Sequence, residues 1–184
     1  MYVGNCNEYL VQLKLIRPSI EKIYPGIEIY LACKDDAFYL LEDSQKTLKS
    51  SEYVKERYGY TRELFCDMQT HPVEELLKES NVPKLLLRTE QKKGGNLCAI
   101  YPFGSSPTRS LNEEQLEKVE KYVISKNMHP VINGGLESAA WVIGVENEFT
   151  ALAPTQGIKT TLIPTGIGEN LYKSLYYNLD VFKI

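Results

Sequence analysis

Apolar and polar positions alternate along this chain in blocks whose period changes from helical to extended and back. Leu13, Ile16, Ile20 and Ile23 recur at intervals of three and four, the spacing of one helix face. Pro18 falls inside that helix and predicts a kink or a restart. Pro25-Gly26 closes it, and IEIYLAC (27–33) is β-prone, predicting a strand near 27–32. A strand before the helix is either missing or reduced to Met1 to Val3. Asp35 to Phe38 reads as a turn, and the polar stretch 45–58 as a helix with a weak apolar stripe. Glu63 to Cys66 reads as a short strand, Pro72 opens a helix over VEELLKE, and Lys84 to Arg88 reads as the next strand.

The charged, glycine-paired EQKKGGN (90–96) lacks any period and marks a boundary, dividing the chain into halves at 1–92 and 93–184. Beyond it LCAIYPF (97–103) predicts a buried strand, and a polar loop leads to a helix capped at Asn112. Gln115 completes the capping box, and Leu111 with Leu116 supplies the hydrophobic staple. Met128 to Ile132 predicts another strand. Gly134-Gly135 then turns into a short apolar helix ending near Trp141. WVIGV follows as a strand (142–145), then an acidic tip at Glu146 to Glu148, a small helix over Phe149 to Ala153, and a strand from Lys159 to Ile163. A last short helix leads to an apolar tail with Val181, Phe182 and Ile184. Helices alternating with strands predict an α/β fold, with a mostly parallel sheet and helices on both faces.

Composition narrows the functional classes. Net charge is -3, and no Lys/Arg cluster offers the footprint that duplex nucleic acid needs. A single nucleotide or nucleotide sugar, which needs only a few donors, stays open as a partner. Four dispersed cysteines read as reduced thiols of a cytoplasmic protein, and neither they nor the two separated histidines suggest a metal or a cofactor. No apolar run is long enough to span a membrane. The 13 tyrosines and the apolar tail leave a homo-oligomer possible.

Four stretches carry candidate chemistry. Loop 104–110 lies between a strand and a capped helix. Its Ser105, Ser106, Thr108 and Arg109 suit phosphate oxygens, although a self-satisfied polar turn accounts for them equally well. Near the start, Asn7-Glu8 either caps the first helix or supplies a general base in Glu8. At the strand end, Glu146, Asn147 and Glu148 are either ribose- or sugar-binding groups or solvated surface residues, and Asn7 is a further candidate for the sugar or ribose. Finally, the tail Thr165-Gly166-Ile167-Gly168 lets Gly166 and Gly168 bring backbone close to a phosphate. No Ser/His/Asp or Cys/His order supports acyl transfer.

Taken together, these blocks resemble the heptosyltransferase-like glycosyltransferases, which move heptose from ADP-heptose to lipopolysaccharide. The resemblance rests on Gly4 with Asn7-Glu8 before a long helix, on AIYPFGSSPTRSLNEEQL, and on Glu146 to Ala153 followed by QGIKTTLIPTG. It implies two Rossmann-like halves, a reduced GT-B-like architecture, with an acceptor-side half before residue 93 and a nucleotide-binding half after it. It also implies Glu8 as catalytic base and the 104–110 loop on the donor phosphates. The chain departs from the family pattern at Glu146, Glu148 and Ala151, where the family carries Asp, Gly and His, and it has about half the family's length. The readings that follow are a glycosyltransferase using a nucleotide-diphosphate sugar, a non-catalytic nucleotide- or protein-binding module, or a nucleotide N-glycosidase or other hydrolase.

Overall fold

The computed structural model describes residues 2–3, 7–40, 46–49, 63–64, 94–104, 106–165 and 179–184. The chain forms two compact units, Met1–Lys84 and Leu85–Ile184. All described strand pairings are parallel. Among the described residues no helix is long and apolar enough to cross a membrane.

In the first unit β1 (Tyr2–Val3), β2 (Leu31–Cys33), β3 (Thr47–Lys49) and β4 (Glu63–Leu64) form a sheet in the order β3-β2-β1-β4. Helix α1 (Asn7–Ile23) runs through Pro18 without interruption, the proline standing exposed. Its apolar stripe, Leu10, Leu13, Ile16 and Ile20, is buried, as are Leu31, Ala32 and Cys33 of β2. Two expectations fail here. The strand expected from Ile27 begins only at Leu31, because the Ile29 N–H donates to the Glu21 carboxylate at 3.0 Å instead of joining a ladder. Ile27 itself is exposed. The helix expected over 45–58 gives way at its start to β3, which pairs with β2 from Thr47 to Lys49. The Lys46 backbone just before it sits at φ 60, outside helical space. The expected helix after Pro72, the strand 84–88 and the helix before the C-terminal tail lie outside the described residues.

The second unit holds β5 (Leu97–Tyr101), β6 (His129–Ile132), β7 (Trp141–Val145), β8 (Lys159–Ile163) and β9 (Asp180–Val181), in the order β6-β5-β7-β8-β9. Helix α2 (Glu113–Ser125) joins β5 to β6, and α3 (Glu148–Leu152), prolonged by a 3-10 turn at Ala153–Gln156, joins β7 to β8. Alternation along the strands sends Cys98, Ile100, Trp141, Ile143 and Val145 to the face where Val119 and Val123 of α2 pack. Ala99, Tyr101 and Val142 go to the other face, against Leu136, Ala139, Ala153 and Ile158. A parallel sheet covered on both sides, as in Rossmann-like α/β proteins, is the result. Helix α2 starts as the sequence predicts. Asn112 Oδ1 accepts from the Gln115 N–H at 2.9 Å, the Gln115 side chain accepts from the Asn112 N–H at 3.0 Å, and Leu111 and Leu116 share one apolar cluster.

A further expectation is corrected in this unit. No helix fills the stretch between Gly135 and Trp141; residues 133–140 run as turns and extended chain. The Ala140 N–H donates to the Leu97 carbonyl of β5 at 3.0 Å instead of to Leu136 four residues back, so no helical ladder forms. In the apolar tail β9 pairs with β8, and the Phe182 ring stacks on Tyr122 with centroids 4.3 Å apart, while Ile184 is exposed.

Two buried thiols make the fold sensitive to alkali. Burial pushes Cys98 from 9.0 up to about 12, with Lys159 partly opposing, and burial with Asp35 and Asp36 pushes Cys33 up to about 11. The unfolded chain therefore releases these protons first. Stability should be full below pH 9 and fall as pH rises through 9 to 12, by up to about 1.4 kcal/mol per pH unit for Cys98. Denaturant midpoints measured at successive pH values check this, with Cys98→Ala expected to flatten the decline and an unchanged slope counting against it.

Candidate functional site

Strands β5, β7 and β8 end at one edge of the second sheet, and the loops leaving them are tied together there. After β5 the chain closes a loop on itself. The Leu111 N–H donates to the Pro102 carbonyl at 2.8 Å, the Gly104 N–H donates to Ser110 Oγ at 3.1 Å, and the Ser110 hydroxyl donates to the Ser106 carbonyl at 2.9 Å. Gly104 is needed for this closure, since a Cβ there would lie 2.4 Å from the Arg109 carbonyl oxygen. A single 3-10 turn, Pro107–Arg109, forms the tip, where the hydroxyls of Ser106 and Thr108 bond to each other at 3.0 Å.

Arg109 turns inward from that tip. It is 8% exposed, and Nη2 donates to Glu146 Oε2 at 3.0 Å. Glu146 is fully buried, and Thr165 just past β8 donates its hydroxyl to the same oxygen at 3.2 Å. Among the described residues Glu146 Oε1 has no hydrogen-bond partner. Asn147 completes the tie. Its Oδ1 accepts from the N–H groups of Phe149 and Thr150 to cap α3, while Nδ2 donates to the Phe103 carbonyl at 3.0 Å. Thr150 answers by donating its hydroxyl to the Val145 carbonyl at 2.8 Å. Glu146 is thus buried, not the solvated acid that its pattern also allowed, and Asn147 beside it is buried too; Glu148 lies in the first turn of α3, half-buried.

The structure therefore joins Arg109, Glu146 and Asn147, and joins Ser106 with Thr108. Ser105, Gly166 and Gly168 lie outside the described residues. Asn7 opens α1 in the first unit, and the Glu8 side chain also lies outside the described residues. Two features alter the electrostatics expected of the phosphate loop. The Arg109 charge is met by Glu146. The N-terminal end of α2 carries its own capping box and the acidic Glu113 and Glu114 in its first turn, which take up the positive end of the helix dipole.

Beside this tie lies a groove of about 610 Å³ within the second unit. It is lined by Tyr101 at the end of β5, by Asn133, Gly134 and Glu137 of the β6–β7 connection, and by Phe149 and Gln156 of the α3 segment. Tyr101 and Phe149 stack flat, centroids 4.5 Å apart and planes within 6°. The Tyr101 hydroxyl donates to the Gly134 carbonyl, and burial, with Glu137 nearby, pushes its pKa up to about 12. The phenol therefore stays a donor through the physiological range. The groove sits next to the point where strand order reverses between β5 and β7, the customary ligand position in open α/β sheets. Sequence reasoning did not single out Tyr101, Asn133, Glu137, Phe149 or Gln156. The signal available was the Asn-Gly-Gly turn directly after a strand. No metal-holding group of His, Cys, Asp and Glu occurs among the described residues.

No family model, curated protein or solved structure matches this chain.

Proposed function

We propose that the second unit is a nucleotide-binding module, taking a nucleotide or the nucleotide part of a nucleotide-diphosphate sugar in the groove beside Tyr101 and Phe149. The observation that carries this reading is the groove itself. It combines a flat aromatic wall, a glycine-lined flank and the side chains of Asn133, Glu137 and Gln156, next to a reversal of strand order. Phe149 offers a surface for a base, and Glu137 offers a carboxylate to a ribose diol. Ser106 and Thr108 are the hydroxyls left to a phosphate, because the Arg109 charge is engaged by Glu146.

Sugar transfer is the catalytic form of the same reading, within a reduced GT-B-like pair of halves. Its support is the heptosyltransferase-like resemblance, with Glu8 as the base that deprotonates the acceptor. The pairing of the Arg109 charge with Glu146 weakens the case for diphosphate stabilisation and favours binding without chemistry.

Calorimetric titration of ADP and UDP into the full chain tests the reading. Phe149→Ala should weaken binding by about ten- to a hundred-fold through lost stacking. Glu137→Gln, at an exposed position, should weaken it while leaving the fold unchanged. Wild-type affinity in both variants, or no binding by wild type at millimolar nucleotide, contradicts the proposal. Release of nucleoside diphosphate from a nucleotide sugar by wild type, abolished in Glu8→Gln, would establish the catalytic form.

A further inference from the structure

The amino-terminal edge of the same sheet holds a second cavity, of about 400 Å³, lined by Gly94, Gly95, Tyr122, Lys126, Met128, Ala140, Trp141 and Lys159. It lies where β7 and β8 begin and where α2 ends, a strand's length of about 16 Å from the carboxyl edge. Its floor is apolar and aromatic, and among the described residues the two side-chain charges that line it are both positive. Lys126 Nζ stands 5.2 Å from the Tyr122 ring centroid and Lys159 Nζ 4.8 Å from the Trp141 centroid. Ring faces attract ammonium groups, and so hold both cations at the rim of the cavity.

Neither lysine is in an ion pair among the described residues. The neighbouring lysines of α2 behave differently, Lys118 pairing with Glu114 at 2.9 Å and Lys121 with Glu117 at 2.7 Å. The end of the α2 dipole accounts for a cation at Lys126 but not for Lys159, which comes from another element. Among the described residues no carboxylate lines the cavity. We propose that this cavity is a binding site for a small organic anion, with its apolar body against the half-buried Tyr122 and Met128, above the buried Trp141, and its anionic group between Lys126 and Lys159. The site is separate from the nucleotide groove and does not depend on that reading.

Trp141 is the protein's single tryptophan, so its emission reports this cavity directly. Phenyl phosphate serves as the probe, with inorganic phosphate as the control lacking an apolar body. Titration into the full chain should give a saturable change in Trp141 emission, at lower concentration for phenyl phosphate than for inorganic phosphate. Lys126→Met and Lys159→Met, both at exposed positions, should each weaken it by about tenfold, and the double variant should abolish it. Phe149→Ala should leave the titration unchanged, which separates this site from the groove at the other edge. An absent saturable change up to millimolar probe, equal affinity in the double-lysine variant, or equal affinity for inorganic phosphate overturns the proposal.

Discussion

Replacing Arg109 with alanine should destabilise the second unit by about 3–5 kcal/mol, because it strands the buried Glu146 carboxylate without its cation. Thr165 alone would remain to donate to Glu146 Oε2, and Oε1 has no partner to compensate among the described residues. Glu146→Gln should cost a comparable amount, because it leaves the buried Arg109 guanidinium with an amide oxygen to bond but no counter-charge. Replacing both residues by methionine should recover most of the loss, since a buried ion pair is often matched by apolar side chains of similar volume. Urea unfolding followed by Trp141 emission gives all three values. A loss below about 1 kcal/mol for Arg109→Ala would mean that Arg109 is held loosely and is available to a ligand phosphate after all.

Trp141→Ala should be nearly as damaging, at about 3–5 kcal/mol. The indole is 3% exposed, meets Tyr122 edge-on at 5.8 Å, and donates from Nε1 to Thr161 Oγ1 at 2.9 Å. It therefore links β7, β8 and α2 in a single apolar cluster. Trp141→Phe should lose about 1–3 kcal/mol, chiefly because the buried Thr161 hydroxyl is left without that donor. Far-ultraviolet dichroism during urea unfolding provides the readout, since the fluorophore is removed. Equal stability of wild type and Trp141→Phe would show that the hydrogen bond contributes nothing.

How much of this was legible from sequence depended on whether a residue's role was set by its neighbours in the chain. Asn112 and Gln115 lie three apart, so the capping box they form could be read directly. The runs LCAIY and KTTLI became strands because burial on both faces demands continuous apolar or β-branched residues. Glu146 was opaque, because only the return of a loop 37 residues earlier in sequence brings Arg109 to it. Its burial inverts the meaning of an acidic tip. Phe149 and Tyr101 were hidden for the same reason: two unremarkable aromatics far apart in the chain become one stacked wall. Ile27 to Tyr30 misled in the other direction, a β-prone stretch whose Ile29 amide was claimed by Glu21 from the preceding helix. Residues 136–140 misled because their composition suits a helix, while the Ala140 amide is taken by Leu97 of a strand far back in the sequence.

The most direct test of the nucleotide-binding reading is a map of where the ligand sits. Amide chemical shifts of the isotopically labelled full chain, followed during titration with ADP or UDP, provide it. The account predicts saturable shifts centred on Tyr101, Asn133, Gly134, Gly135, Glu137 and Phe149, with Gly94, Gly95 and Lys159 unmoved. Shifts confined to the amino-terminal edge of the sheet, or no saturable shift at millimolar nucleotide, would contradict it.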